Sequence, residues 1–378
     1  MMMAYVIHMN AIANPTQTTE IREKVAATKA SRTAIADDMA MIRSAAELTR
    51  DLNGANKAIY WSDFLGSALL GYGALFAAVL APGTGWMLAA AAVAVAALYR
   101  AGSFIHEMTH VRHRELPWFR FGFNAVVGVP LLVPSFLYEG VHQLHHARTR
   151  YGTVEDPEYL PLALMKPWTV PLFVVIAAFG PLVLFVRFAV LTPLSFLIPP
   201  LRKLLVERYS GLVINPDFRR RAPEGELKKQ WLLQEIAASV WANSLLIGVF
   251  SGFIPLRGFL IFLAISSATI VFNQIRTLVA HLWENDGEVV STTAQFLDSV
   301  NVPPPNFLSA LWAPVGLRYH ATHHLLPGLP YHALGEAHRR LTAKLSPEST
   351  YNRASYNGLP GLVTRLVKSS FSVGTMRG

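Results

Sequence analysis

The chain has 378 residues, no cysteine and a formal charge of +9, and 52% of its residues are hydrophobic while only 15% are charged. Because an ordinary soluble domain carries about 25% charged residues, this composition indicates an integral membrane protein and excludes a disordered chain, a collagen-like fibre and a disulfide scaffold. The lack of cysteine excludes thiolate metal sites and cysteine nucleophiles, so any metal must be bound by His, Asp, Glu, Asn or water.

Residues 1–58 mix polar and apolar positions without a signal-peptide pattern, which predicts a cytoplasmic N-terminal helical segment. Two pairs of apolar runs follow, and a short turn joins the members of each pair. A membrane span needs about 20 apolar residues, and each run is long enough alone or with its flanks. The sequence therefore predicts four principal transmembrane helices in two hairpins, with runs at 59–81, 86–99, 236–256 and 258–275.

Two other apolar stretches contain prolines and do not resemble simple spans. The stretch 168–201 holds five prolines and the charged Arg187. We predict that it either dips into the membrane and returns or lies along the membrane surface. The stretch 118–138 is interrupted by Pro130 and Pro134 and is predicted as an interfacial or re-entrant segment.

Lys and Arg are concentrated between the two hairpins, with eight of them in 202–229, whereas the turn at 82–85 is uncharged. Because cytoplasmic loops carry the excess of basic residues, we expect the hairpin turns to face outward and both termini to be cytoplasmic. Basic loops beside anionic lipid headgroups also account for the positive charge. We therefore expect membrane lipid, and no nucleic acid, as the partner of these loops.

Eight of the 13 histidines fall in three short motifs, HEMTH, HQLHH and HATHH, with spacings of three or four residues. On a helix this spacing brings the imidazoles to one face. Burying them there without a partner is costly, whereas a metal ion satisfies them together. Eight ligands exceed the four or so that one zinc ion takes, so we expect two metal ions bound by His106, His110, His142, His145, His146, His320, His323 and His324.

His281 lies at the cytoplasmic end of the last predicted span, at the same membrane depth as His106. A single histidine in this place is ordinarily an interfacial residue bonded to the backbone, but its matched depth also suits a ninth ligand. His113, three residues beyond His110, is a candidate for a supporting or spare position. His338 lies in a basic amphipathic helix and is not predicted to bind metal.

The three motifs, placed between and after paired spans, resemble the histidine boxes of the membrane fatty acid desaturase/hydroxylase superfamily, and the run at 318–332 resembles its bacterial fatty acid desaturase branch. The resemblance covers about residues 60–345. It implies an all-α integral membrane protein with four principal transmembrane helices, re-entrant or interfacial helices and a cytoplasmic helical cap that holds a non-haem di-iron centre. The desaturase domain is expected over 59–345, with a cytoplasmic tail over 346–378, in a bacterial inner membrane.

In this family the box histidines and one further histidine after the last span bind two iron ions. The resemblance therefore implies iron ligands at His106, His110, His142, His145, His146, His281, His320, His323 and His324. One position departs from the pattern. Animal acyl-CoA desaturases place an Asn, a water-mediated ligand, four residues before the additional histidine, where this chain has Thr277.

The resemblance implies an O2-dependent desaturase that introduces a double bond into a lipid-, CoA- or carrier-linked fatty acyl chain, an oxidoreductase acting on paired donors with reduction of O2 to water. Di-iron hydroxylases of alkanes, sterols or carotenoids share the boxes and are the alternative. A membrane zinc metalloprotease is a weaker alternative, because HEMTH satisfies His-Glu-x-x-His with Glu107 as the base. That interpretation leaves six or seven histidines unexplained.

Imidazole ligands need neighbouring groups that fix their tautomers, and polar residues cluster around the ligand segments. We predict supporting positions at His113, Glu107, Asp156, Glu158, Asn285 and Asp286. Since the chain has no haem domain and no cysteine, electrons are expected from an external ferredoxin, rubredoxin or cytochrome b5-like donor with its reductase. Three consecutive arginines at 219–221 are predicted to dock an acidic donor, and 118–138 is predicted to wall a tunnel for the acyl chain.

Overall fold

The computed structural model describes residues 35–306 and 308–374. Over these ranges the secondary structure is helical, and the β-bridges found there are isolated ones between loops, which confirms the all-α prediction. The first 34 residues of the predicted N-terminal segment and residues 375–378 of the predicted tail lie outside the described part of the chain.

Fourteen helical segments are labelled here in chain order. They are α1 (Met39–Leu48), α2 (Lys57–Leu80), α3 (Thr84–Glu107), α4 (Phe119–Phe123), α5 (His142–His145), α6 (Thr169–Leu197), α7 (Pro199–Arg208), α8 (Gly225–Phe250), α9 (Leu256–Leu278), α10 (Thr292–Asp298), α11 (Ser309–Trp312), α12 (His320–Leu325), α13 (Tyr331–Lys344) and α14 (Leu359–Gly374). Short 3-10 or π segments also occur at Arg50–Leu52, Asn124–Gly128, Ser135–Leu137, Leu162–Leu164 and Thr350–Ala354.

The two predicted hairpins form as α2–α3 and α8–α9. Asn56 caps α2 by accepting hydrogen bonds from the backbone N–H groups of Ala58 and Ile59. A Cβ atom at Gly71 would lie 2.7 Å from the side chain of Leu98. Glycine at this position therefore allows α2 and α3 to approach each other closely, as helices that pack within a membrane often do.

The segments outside the apolar helices pack at one end of them into a layer termed the cap, which comprises α1 and residues 108–117, 134–167, 209–224, 279–306 and 308–374. Tyr151 and Trp283 pack in one buried cluster with Leu366 of α14. Met41 of α1 and Tyr351 share a second cluster. Because Tyr351 is fully buried, residues of the predicted tail beyond 345 contribute to the packing of the cap.

Among the described residues, five helices are long and apolar enough to cross a membrane, and the one beyond the four predicted spans is the 29-residue α6. The prolines that suggested breaks in this stretch stand in the first turns of successive helical segments, at Pro181 and Pro193. A missing backbone N–H costs no hydrogen bond there, so the helical path continues. Beyond α7 the chain returns to the cap, where the N–H of Leu212 donates to the carbonyl of Leu137 (2.8 Å).

The charged Arg187 is accommodated inside α6 by ion pairing. Its Nη2 donates to Glu235 Oε1 of α8 at 2.5 Å, and Arg202 of α7 donates to Glu235 Oε2 at 2.7 Å. The Glu235 side chain is fully buried. Removing Glu235 would leave a buried charge without its partner, which typically costs about 3–5 kcal/mol, so this cluster fixes α6 and α7 to α8.

The three consecutive arginines predicted as a docking patch do not form one surface. Arg220 is largely buried, with its guanidinium 4.3 Å from the centroid of the Trp231 ring and 2.6 Å from the carbonyl oxygen of Phe136. Arg219 and Arg221 are more exposed. Of the three arginines, only these two remain accessible to an external partner. The sequence could not separate them from Arg220, because an arginine that packs against its own chain looks the same there as one that faces solvent.

Candidate metal centre

The nine histidines predicted as ligands meet in the cap, next to the ends of α3 and α9. They form two groups, and within each group one nitrogen of every histidine lies within 4.8 Å of those of the others. The first group consists of His106, His110, His142, His146 and His323, and the second of His145, His281, His320 and His324.

Each His-x-x-His-His box divides its members between the two groups. In the second box the first and last histidines, His142 and His146, belong to the first group and His145 to the second, and the third box shows the reverse assignment. On a helix, residues i and i+4 point only about 40° apart, while i+3 lies on the other flank of i. The second and third boxes therefore each contribute to both groups, whereas both histidines of the first box, His106 and His110, belong to the first group.

The remaining three histidines of the two groups are positioned by the ends of the apolar helices α3 and α9. His106 lies in the last turn of α3, and the N–H of His110 donates to the carbonyl of Glu107 (3.0 Å), which keeps His110 about one turn farther along the same path. His281 follows the end of α9 and pairs with Ser299 in an isolated antiparallel bridge. The pairing turns the chain back across the cap and brings His281 to the second group.

Neighbouring Nε2 atoms within the groups lie 3.0–3.2 Å apart. Two ligand nitrogens about 2.1 Å from one ion, at about 90–110° from each other, are separated by about 3.0–3.4 Å. In addition, both ring nitrogens of His106 and the Nε2 of His110 are buried without a hydrogen-bond partner in the described part of the chain. The separations and the unpartnered nitrogens both fit metal ions held by imidazoles.

Burial keeps most imidazoles of the centre neutral. Burial and the neighbouring rings lower the pKa of His142 and His323 well below the ordinary value, and burial lowers the pKa of His110 to about 3. His145 differs, since burial, the largest effect, lowers its pKa, but the hydrogen bond with Asp156 and the charges of Asp156, Glu158 and Asp298 together raise it. A neutral imidazole offers the lone pair that binds a metal.

Two carboxylates that follow the second box in the chain contact its rings at Nδ1, on the side away from the centre. The Nδ1 of His142 lies 2.9 Å from Glu158 Oε1 and 2.9 Å from the hydroxyl of Tyr138, which itself donates to Glu158. The Nδ1 of His145 lies 2.9 Å from Asp156 Oδ2. An acceptor at Nδ1 places the ring proton there and leaves the Nε2 lone pair directed at the centre.

His281 contacts a phenol, which in turn is hydrogen-bonded to a carboxylate. Its Nδ1 lies 2.9 Å from the hydroxyl of Tyr151 and 3.2 Å from Ser299 Oγ. Tyr151 donates to Asp298 Oδ2 at 2.8 Å, and Tyr159 donates to the same oxygen at 2.7 Å. The phenol oxygen of Tyr151 thus accepts from His281 while its proton is bound by Asp298.

In the described part of the chain, the other residues predicted to support the centre make no hydrogen bond to a ligand histidine. A Glu107 carboxylate oxygen lies 3.5 Å from His106 Nδ1. Asn285 is buried nearby, but its side-chain amide donates to backbone carbonyls. His113 and Asp286 are exposed and belong to neither histidine group.

The position that departs from the family pattern contributes no ligand in this structure, because the Thr277 hydroxyl donates to the carbonyl of Asn273 one turn earlier (2.9 Å). Two histidines that were not predicted as ligands bond elsewhere. His338 Nδ1 contacts the Tyr351 hydroxyl at 2.9 Å, and His332 Nε2 accepts from the N–H of Asn56 at 3.1 Å.

Sequence reasoning missed Tyr138, Tyr151 and Asp298. Tyr138 had a local signal, since it stands four residues before His142 and four residues is about one helical turn. Tyr151 and Asp298 are 147 positions apart in the chain. Their contact depends on the packing of the cap, which no local pattern shows.

Known proteins are similar to this chain over the region that carries both groups. The Fatty acid desaturase family model matches residues 84–355, which include all nine histidines. The chain is also 50% identical over 324 residues to a protein of Caulobacter vibrioides (strain NA1000 / CB15N) named "Ceramide hydroxylase". That similarity covers 86% of this chain and 92% of the relative.

Proposed function

This chain belongs to the membrane fatty acid desaturase/hydroxylase superfamily, and on that premise we propose that it is an O2-dependent ceramide hydroxylase. The observation that carries the proposal is the 50% identity to a ceramide hydroxylase over 92% of that protein. It favours the hydroxylase alternative over the acyl desaturase that was the main prediction. The sequence had suggested alkanes, sterols or carotenoids for a hydroxylase, and ceramide was not among them.

The proposed reaction inserts one oxygen atom into a C–H bond of the lipid. RH, O2, two electrons and two protons give ROH and one H2O. Desaturation takes up the same O2, electrons and protons, but it removes two hydrogens from the lipid and gives two H2O. When bound, two iron ions supply the redox chemistry, in which O2 is reduced with two electrons from an external donor.

The chain's own residues hold and shield the centre. The neutral imidazoles present their Nε2 lone pairs inward, and Glu158, Asp156 and Tyr151 hold the Nδ1 protons of three rings on the outer side. The carboxylates also place negative charge behind the ligand rings, where it offsets ion charge that nine neutral ligands do not neutralise. The second group is fully buried, so bulk water is kept from it.

Electrons for this reaction come from a separate ferredoxin, rubredoxin or cytochrome b5-like protein with its reductase. We propose that the donor meets the cap, where Arg219 and Arg221 remain accessible. The concentration of Lys and Arg in the loops supports a cytoplasmic position for the cap, in a bacterial inner membrane.

Cysteine labelling tests this orientation, because the chain has no cysteine of its own. Nothing lies within 4 Å of the place that a Cβ atom at Gly83 would take, so Gly83→Cys keeps the hairpin turn. We expect an impermeant thiol reagent to label Gly83→Cys from outside intact cells and to label Glu155→Cys, on the cap, only after lysis. The reverse pattern would contradict the orientation.

The activity is tested with purified protein, a reduced ferredoxin system and a defined ceramide. We expect about two iron ions per chain, the number that two separate ligand groups imply, and a product that has gained one oxygen atom. Loss of two hydrogens would show a desaturase, and one zinc ion without lipid oxidation would favour the protease alternative. Protein with His142→Ala serves as the inactive control.

A further inference from the structure

A small cavity of about 10 Å³, enough for a group the size of one water molecule or one carbonyl oxygen, lies beside the second histidine group, between the end of α9, α11 and the segment leading into α12. Its walls are mostly apolar. It is lined by Arg276, Val279, Ala280, Val300, Val302, Trp312, Leu317, Arg318 and His320. We refer to it as the Arg276 pocket.

Arg276 brings an unused hydrogen-bond donor to this pocket. Its residue surface is only 8% exposed, and its Nε is buried without a hydrogen-bond partner among the described residues. The guanidinium lies close to the hydroxyl of Tyr99, which donates to the carbonyl of Trp312 (2.9 Å). The Nε donor is left for a ligand, because an unmade hydrogen bond of a buried charged group is costly.

His320 lines the same pocket and carries a second unused donor. Its Nε2 faces His281 Nε2 at 3.0 Å and His324 Nε2 at 3.2 Å. A neutral ring whose Nε2 binds metal carries its proton on Nδ1. That Nδ1 is buried and has no partner in the described part of the chain, so the pocket combines two donors with apolar walls.

Apolar side chains that stand next to a wall residue in the chain are exposed. In and next to α11, which supplies the wall residue Trp312, Leu308 is 52% and Leu311 is 61% exposed. Arg318, also on the wall, donates to the carbonyls of Val302 and Asn306 at 2.8 and 3.0 Å. Exposed leucines beside arginines are typical of a surface at the boundary between membrane and water.

We propose that the Arg276 pocket binds the oxygen acceptor at the head of the substrate's acyl chain, either the amide carbonyl of an N-acylated lipid or the carboxylate of a free fatty acid. This rests on the proposed function, since it takes the substrate to be an acyl lipid. The Nδ1 of His320 lies on the side of the ring away from the ion site, so a bound carbonyl is one imidazole away from the centre, and the carbons next to the carbonyl are the acyl carbons nearest to it. We therefore expect the new hydroxyl close to the head of the acyl chain and not near its middle.

Equilibrium binding tests the pocket without turnover. Metal-loaded, unreduced protein in nanodiscs is titrated with a short-chain ceramide whose fluorophore is remote from the amide, and separately with a fluorescent fatty acid of the same length. Arg276→Met keeps an apolar stem and removes the donors. We expect it to bind at least one of the probes about 10- to 100-fold more weakly, with metal content unchanged, and the probe affected more strongly identifies the head group.

The matched control is Arg257→Met, the same substitution at the opposite end of α9, where the guanidinium donates to the carbonyl of Val79. It should bind both probes like the wild type. If Arg276→Met also keeps wild-type affinity for both probes, the pocket is not a substrate site and holds at most water.

A change in the probe covers the case in which Arg276→Met does not fold. A ceramide analogue with its amide carbonyl reduced to methylene, and the matching alcohol in place of the fatty acid, are titrated against the wild-type protein. Weaker binding of either analogue supports the pocket, and equal binding of both analogues and parents refutes it. If ceramide is not hydroxylated but Arg276→Met still loses fatty acid affinity, the pocket stands and the proposed substrate falls.

Discussion

The two histidine groups differ in how firmly the protein holds them before any metal binds. In the second group all four histidines are buried, and both His145 and His281 are bonded at Nδ1 by an aspartate or by a phenol backed by one. In the first group Glu158 holds His142 in the same way, but two of the five histidines are partly exposed, and within the described residues neither nitrogen of His106 has a hydrogen-bond partner. The cap therefore orients the second group more completely than the first, which depends more on the ion that it would bind.

This difference teaches that ligand count and preorganisation are separate properties of a site. Five imidazoles offer more bonds than four, but rings that are already oriented lose less entropy on binding. We therefore expect the second group to retain its ion longer, and the first to exchange its ion with solvent through His110 and His146. The following variants test this comparison.

The largest effect is expected from removing one ligand of either group. His323→Ala should abolish hydroxylation and lower iron from about two to about one per chain, because the ion of the first group loses a ligand while the second group is untouched. Iron analysis and product assay measure both quantities. His338→Ala, which changes a histidine bonded to Tyr351 in the cap core, is the matched control and should keep most of the activity. Normal turnover in folded His323→Ala would contradict the assignment.

A smaller effect is expected from the carboxylate behind the second group. Asp156→Asn should weaken retention of that group's ion by about 10- to 100-fold, the usual result of losing such a contact. Release of iron to a chelator over time is the measurement. Glu155→Gln, the adjacent exposed carboxylate, should release iron like the wild type. Equal rates for all three proteins would remove the reason for calling the second group preorganised.

Two tyrosines, one in contact with a histidine of each group, allow a further comparison of the two groups. Tyr151→Phe removes the link from His281 to Asp298, whereas Tyr138→Phe leaves Glu158 in contact with His142. We expect iron release to rise about tenfold in the first variant and only a few-fold in the second. A larger effect of Tyr138→Phe would reverse the ranking of the two groups.

The smallest effect concerns the outer surface of the cap. Changing Arg219 and Arg221 together to Gln should raise the donor concentration needed for half-maximal turnover a few-fold and flatten its salt dependence, since exposed charges are screened beyond about 10 Å at 0.1 M salt. Arg220→Gln should instead lower thermal stability, because Arg220 packs on Trp231. A double variant that keeps both its donor affinity and its salt dependence would refute docking at this surface.

The sequence was informative where chemistry requires fixed residue types at fixed spacing. Motif spacing identified the histidines that the structure gathers, and apolar runs located both hairpins. It did not show that α6 continues through its prolines, because Pro181 is tolerated only by virtue of its place in a first turn. The division of the second and third boxes between the two groups was not predicted either, although the i, i+3 and i+4 spacing behind it can be read from the sequence.

The supporting carboxylates show how far closeness in the sequence can predict a contact. Asp156 and Glu158 were predicted to support the centre because they follow the second box closely, and the structure places both against its histidines. Asp286 was predicted on the same ground and is exposed. Proximity to a ligand in the chain favoured all three carboxylates equally. Only the packing of the cap determines which of them contact a histidine.

The most direct measurement is the origin of the oxygen in the product. Purified protein loaded with iron is given ceramide, reduced donor and oxygen-18 gas, and the lipid is analysed by mass spectrometry. We predict a ceramide that contains one oxygen-18 atom near the head of its acyl chain, formed by the wild type and by His338→Ala but not by His323→Ala. A ceramide that has lost two hydrogens without gaining oxygen, or a hydroxyl derived from water, would contradict the proposed function.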